Sequence, residues 1–195
     1  ARIQKNANLD MIWQEDRSYQ DKSAHKYAHF VDGGITDNLG LRAVLESIEV
    51  VGGAKDYLKG MGISAPRRIA VISVNASANE RQGIDASAAQ PSIEATLKAV
   101  TDIQLHRYNV ATLQLTQQSL ERWSKELSSP ERPVNGYFIR LSFEDVPDAP
   151  LRRSLNEIPT SLALSAEQVE RLITVGRELL RNNADYRRLV ADLQG

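Results

Sequence analysis

The sequence predicts an α/β fold with a mainly parallel sheet, here about three strands, plus long helices. Three observations predict it. Short apolar runs at 26–32, 68–75 and 137–143 alternate with stretches of helical spacing, the order expected of an α/β layer architecture. The middle run, Arg68-Ile69-Ala70-Val71-Ile72-Ser73-Val74-Asn75, is apolar throughout, as in a strand covered on both faces of a parallel sheet. With 195 residues, 42% of them hydrophobic and 25% charged, the chain is long enough for one sizeable core. A domain of this length buries about 70% of its unfolded surface.

Residues 1–25 are polar and charged, with Ile12, Trp13 and Tyr19 as scattered anchors, and read as a helix or irregular arm. The run 26–32 is then a strand that ends at Gly33-Gly34. Leu39, Leu41, Val44, Leu45, Ile48 and Val51 fall at helical spacing, and Gly52-Gly53 offers the stop. Residues 60–66 form a loop before the second strand at 68–75, and 76–90, small and polar, form another. Pro91 suits the first turn of a helical stretch reaching 127. Its apolar stripe (Ile93, Leu97, Val100, Tyr108, Ala111, Leu115, Leu120, Trp123) drifts too much for a heptad seam and predicts a kink or two helices. A strand over 137–143 follows, then a proline-rich loop to 160. Ser165-Ala166-Glu167-Gln168 is a capping box for a terminal helix. Three strands make a thin parallel sheet with an unpaired edge, so further strands are expected from elsewhere.

Composition excludes several functions. A formal net charge of −1 gives no generally basic surface for nucleic acid, and the lack of cysteine removes disulfides, thiolate metal sites and a cysteine nucleophile. No apolar run approaches the length of a membrane span, and residues 1–10 are not a signal peptide. Because the chain opens on Ala1 and not on methionine, it is expected to start inside a longer protein. The compartment stays open, since a chain without cysteine suits a reducing or an oxidising one.

The segment Val31-Asp32-Gly33-Gly34 carries the chemistry. Asp-Gly is an ordinary turn signal, but this turn joins a strand to a helix, and α/β folds bind ligands at such strand ends. Asp32 there can accept a proton from a hydroxyl nucleophile, and partial desolvation would raise its basicity. Gly33 and Gly34 allow close approach, and Asp37 or Asn38 can cap the helix that follows. With Gly40 they fit neither GxGxxG nor GxxxxGK[ST], which argues against a nucleotide loop. The segment also lacks the alternating oxygen donors of a calcium loop, so no metal and no cofactor is assigned. None of His25, His29 and His106 is assigned to catalysis. A regular strand would turn His29 away from Asp32, and the other two lie in the polar arm and the long helix. No GxSxG is present; the nearest sequence, Gly62-Ile63-Ser64-Ala65-Pro66, precedes a strand instead of following one.

Asp32-Gly33-Gly34, continued by Asp37-Asn38-Leu39-Gly40-Leu41-Arg42, resembles the DG[GA] motif of the bacterial patatin-like phospholipases. Val71 to Ala76, Tyr137 to Phe143 and Leu155-Asn156-Glu157-Ile158-Pro159-Thr160-Ser161 are similar to members in the same order, so the resemblance covers about residues 27–182. It implies a three-layer sandwich and a serine acyl hydrolase that cleaves fatty-acyl esters with a Ser-Asp dyad, Asp32 being the base. It also implies that residues 1–195 are the carboxy-terminal portion of that domain. The GxSxG serine and the oxyanion glycines belong to an upstream segment, the partner of this one, and a lipid or membrane surface is the substrate. Many relatives have proline where Gly40 stands. The alternative is a non-catalytic lipid- or protein-interaction module docking through the 91–127 helix, motivated by Leu115, Leu120 and Trp123. Arg152 and Arg153 are read as solvated loop residues and not as a phosphate site.

Overall fold

A computed structural model describes residues 7–30, 32–76 and 88–194. The order is α1 (Ala7–Ser18), α2 (Gly34–Asp37), α3 (Leu41–Val50), α4 (Ala54–Gly60), β1 (Arg68–Asn75), α5 (Ile93–Leu127), β2 (Asn135–Ser142), α6 (Ala149–Asn156), α7 (Ala166–Asn182) and α8 (Ala184–Gln194). A single 3-10 turn, Phe143–Asp145, follows β2. The chain is thus mixed α/β. The loop expected over 76–90 falls mostly outside the described residues.

Both later strands form where β-branched and aromatic residues cluster, and they pair in parallel from Arg68 against Asn135 to Asn75 against Ser142. The strand expected at 26–32 is not seen among the described residues of that run. Its described residues are irregular, with Tyr27 80% and Phe30 93% exposed. A strand exists only through a partner's hydrogen bonds, and none of the described residues pairs with this run. Among the described residues the sheet has two strands, β1 and β2.

Residues that are partners in the parallel register share a face, so the two faces of the pair can be read directly. Ile69, with Gly136 beside it, faces α5: Ile69 packs on the Leu45, Ala54 and Trp123 cluster, and a Cβ on Gly136 would stand 2.6 Å from Ser124 Oγ. Only glycine fits there. Arg68, Asn135 and Tyr137 face the other way, toward α8, and converge on Asp192. Arg68 pairs with that carboxylate at 2.9 Å, the Asn135 amide donates to it at 3.1 Å, and the Tyr137 hydroxyl donates to it as well. The outer edge of β2 is also covered. Arg188 donates to the Gly136 carbonyl and Asn183 to the Arg140 carbonyl, which blunts an edge that would otherwise invite pairing.

The Arg68 guanidinium, then the Tyr137 and Asn135 donors, hold the Asp192 carboxyl well below its ordinary value of 3.8. A depressed carboxylate pKa stabilises the fold above the unfolded value and loses that contribution as pH falls through the folded one. Asp192→Asn is therefore expected to lower the urea midpoint at pH 7. The deficit should shrink progressively once the pH drops below about 4, where the unfolded carboxyl protonates. An equal deficit at pH 7 and pH 2.5 would refute the charge-based explanation.

The stretch is not split into two helices: α5 is one unbroken 35-residue helix. It holds no internal glycine or proline, and the Ser92 hydroxyl, not Pro91, opens it by accepting from Ala95 N. Its second half is core: Leu120 and Trp123 are buried, so they are unavailable as docking residues. Its first half is uncovered, with Ile93 89% exposed and Leu97, Val100 and Ile103 also out in solvent. No described helix is long and apolar enough to cross a membrane.

The remaining differences have local causes. Residues 149–156, read as proline-rich loop, form α6, because Asp148 caps it through Leu151 N and Pro150 sits in the first turn, where no amide is needed. Arg152 and Arg153 are thus helical, and Arg152 donates to the Val146 carbonyl at 2.7 Å. Ser165 and Gln168 do form the reciprocal capping box of α7. Instead of one terminal helix there are two, α7 ending before Asn183, whose carboxamide oxygen accepts from Tyr186 N at the start of α8. Leu155, Val146 and Val175 make the second core cluster, between the turn after β2, α6 and α7.

Candidate functional site

Gly33 is helical, at φ −58° and ψ −22°, and α2 begins directly after it. Asp32 precedes this one-turn helix and folds back on it: Oδ1 accepts from Gly34 N at 2.7 Å. A Cβ on Gly34 would lie 3.0 Å from that oxygen and 3.3 Å from Asn38 Oδ1. Glycine at 34 is what lets the carboxylate sit on the backbone amide. Asp32 is exposed, and its Oδ2 accepts no hydrogen bond among the described residues. One oxygen is oriented and the other is available.

Asp37 points elsewhere. Its Oδ2 accepts from Arg42 N at 2.9 Å and Ala43 N at 3.3 Å, capping the first turn of α3 as the sequence suggested. Asn38 is exposed and lies beside Gly34 and Asp32. Between these two aspartates the chain must reverse, and Gly40 does this at φ 65°. Proline, common at this place in the resembled family, cannot adopt that angle and would remove the Gly40 N–H donated to the Asp37 carbonyl at 2.9 Å. Gly40→Ala is expected to cost about 1–2 kcal/mol from the left-handed backbone alone, and Gly40→Pro more. Urea titration of both variants checks the order; a proline variant as stable as the parent would refute the turn's role.

The turn faces the middle of α5 across an open groove of about 990 Å³. Asp32, Gly34 and Asn38 form one wall; the other combines Val100, Leu105 and Tyr108 with the polar Thr101 and Gln104 and the cationic Arg107. Arg42 fixes the spacing, since its guanidinium lies 4.8 Å over the Tyr108 ring and its Nε reaches Thr112 Oγ1 at 3.5 Å. The groove thus offers a carboxylate beside a partly apolar trough. Val100 and Tyr108 were visible in the sequence as part of the helical stripe; Leu105 and the role of Arg42 were not, because only the tertiary fold sets which face of α5 meets the turn.

No histidine lines this groove. The His25 ring lies 4.9 Å from that of Tyr19 in a tilted arrangement, His29 lies in the irregular run, and His106 lines a different cleft. Among the described residues no group of three or more carboxylates and imidazoles is placed to hold a metal ion. Ser64 sits in the loop between α4 and β1. Comparison with protein-family models, with curated proteins and with solved structures finds no match to this chain. Its function is therefore argued from the residues themselves.

Proposed function

We propose that the chain is the carboxy-terminal part of a patatin-like serine acyl hydrolase, a lipase or phospholipase, and that Asp32 is the base of its Ser-Asp dyad. The observation that carries this reading is Asp32 itself, with Oδ1 anchored on Gly34 N and Oδ2 open at the head of a partly apolar groove. A carboxylate so held is oriented without an imidazole, as a two-residue dyad requires.

In the proposed reaction a serine supplied by the upstream segment attacks the ester carbonyl while Asp32 Oδ2 takes its proton. Upstream backbone amides hold the oxyanion, and Asp32 returns the proton to the departing alcohol. A water then attacks the acyl-serine, with Asp32 taking the water's proton and restoring it to the serine as the fatty acid leaves. Val100, Leu105 and Tyr108 of the opposite wall suit the acyl chain.

The finer architecture belongs to the same proposal. Ala70, Ile72 and Val74 are exposed on the face of β1 away from Ile69, and the edge of β1 opposite β2 has no strand partner among the described residues, while the connection from 26–32 to β1 carries α3 and α4 onto α5. A third parallel strand at 26–32 fits beside β1 by a crossover of this kind, within a three-layer sandwich whose other strands are upstream. The 195-residue chain alone is expected to show no esterase activity on a short-chain nitrophenyl ester, and the protein extended upstream to show it. Turnover by the isolated chain would place the nucleophile within these residues and overturn the dyad as drawn.

One observation favours a second reading, a non-catalytic module that binds lipid or protein. The uncovered Ile93, Leu97 and Val100 lie on one face of α5. Flotation of the chain with liposomes tests it, and absence of binding counts against a lipid-docking helix.

A further inference from the structure

Asn135 is the one asparagine of the chain followed by glycine, and it stands exposed at the first position of β2. Asparagine before glycine is the pairing most open to deamidation, because the glycine carries no side chain to keep the carboxamide off its amide nitrogen. In a parallel ladder, alternate residues of a strand bond to the same neighbour. Asn135 N donates to the Arg67 carbonyl at 3.0 Å, so the Gly136 N–H and carbonyl point away from β1, where Arg188 meets the carbonyl at 3.2 Å. The nitrogen that must attack is thus outside the ladder. The Arg188 charge beside this glycine favours the nitrogen anion that has to form. Asn135 Nδ2 donates to Asp192 at 3.1 Å, but Arg68 and Tyr137 hold the same carboxylate, so the carboxamide can turn toward Gly136 and leave Asp192 satisfied.

We infer that Asn135 is a covalent modification site, at which the folded chain deamidates through a succinimide closed on Gly136. Gly136 N gives up its proton and bonds to Asn135 Cγ; the Cγ–Nδ2 bond breaks, and the nitrogen leaves as ammonia with that proton. Water then opens the ring. Attack at Cγ leaves aspartate. Attack at the main-chain carbonyl leaves isoaspartate, whose peptide runs through Cβ and Cγ and so lengthens the backbone by one carbon. β2 has no room for it there, since even a Cβ on Gly136 would stand 2.6 Å from Ser124 Oγ and 3.1 Å from Leu120 Cγ. Deamidation also replaces a donor to Asp192 with a second carboxylate. The modified chain is therefore less stable, with β2 loosened from both α5 and α8. None of this depends on the hydrolase reading.

The folded 195-residue chain, held at pH 8.5 and 37 °C and sampled by peptide mass, tests it. The peptide carrying Asn135 is expected to gain the amide-to-acid mass difference before any other asparagine does, and to become a methyl acceptor for an isoaspartate-specific methyltransferase. Asn135→Gln, whose longer arm would have to close a six-membered ring, should remove both signals from that peptide. The modified fraction, separated by its extra negative charge, should unfold at a lower urea midpoint than the parent. The site is overturned if another asparagine of the folded chain deamidates first, if the peptide gains mass only after unfolding in urea, or if it gains mass as fast in Asn135→Gln. An unchanged urea midpoint in the modified fraction would overturn the loosening of β2.

Discussion

Replacing Asp32 with Asn in the upstream-extended protein is expected to lower kcat by about 10² to 10⁴-fold, the usual effect of losing a general base, with KM little changed. The carboxamide keeps the size of the carboxylate, and its oxygen can still accept from Gly34 N, so the turn should survive. What is lost is the proton acceptor at the open position. Because in the proposed reaction the same carboxylate serves acylation and deacylation, no burst of alcohol should appear in the variant. An unchanged rate would remove Asp32 from the chemistry, while a folded variant with raised KM and normal kcat would make it a binding residue.

The second large effect is on stability. Trp123 is 4% exposed and joins Leu45 and Ala54 in the cluster that packs α3 and α4 on α5, and its indole N–H donates to Glu49 at 3.3 Å. Trp123→Ala is expected to cost about 3–5 kcal/mol, the range for deleting a buried aromatic ring. Whole domains are stable by only about 5–15 kcal/mol, so the variant should be near its folding limit. The consequence reaches the candidate site, because α3 is the element whose start is capped by Asp37 and spaced from α5 by Arg42. Guanidinium denaturation followed by far-UV circular dichroism measures the loss; a cost below about 1 kcal/mol would mean that this cluster does not hold the helices together.

How much of this was legible in the residues depends on whether the cause was local. Apolar, β-branched runs placed β1 and β2 within two residues of their ends, and the Ser165–Gln168 capping box placed the start of α7. Asp37 as a helix cap was legible for the same reason: the cap and its amides lie within six residues. The run at 26–32 has strand composition, but its described residues are irregular, since pairing is supplied from a distance and cannot be read from the run itself. Prolines at 147 and 150 suggested a loop, whereas Asp148 before Pro150 is a helix start. The drifting stripe of α5 reflects two environments along one continuous helix, a covered second half and an uncovered first half. At the candidate site, Asp32 and its glycines were visible as a motif. The opposing wall was not, because Val100, Leu105 and Tyr108 meet the turn only through the packing of α3 on α5.

The most direct test of Asp32 as half of a dyad is covalent trapping. A fluorophosphonate reacts with a serine only where a neighbouring group activates it. On the upstream-extended protein, one equivalent should attach to a serine outside these 195 residues, located by peptide mass, and Asp32→Asn should slow that labelling about as much as it slows turnover. Labelling at a serine within the chain, or labelling whose rate is indifferent to Asp32, would contradict the dyad.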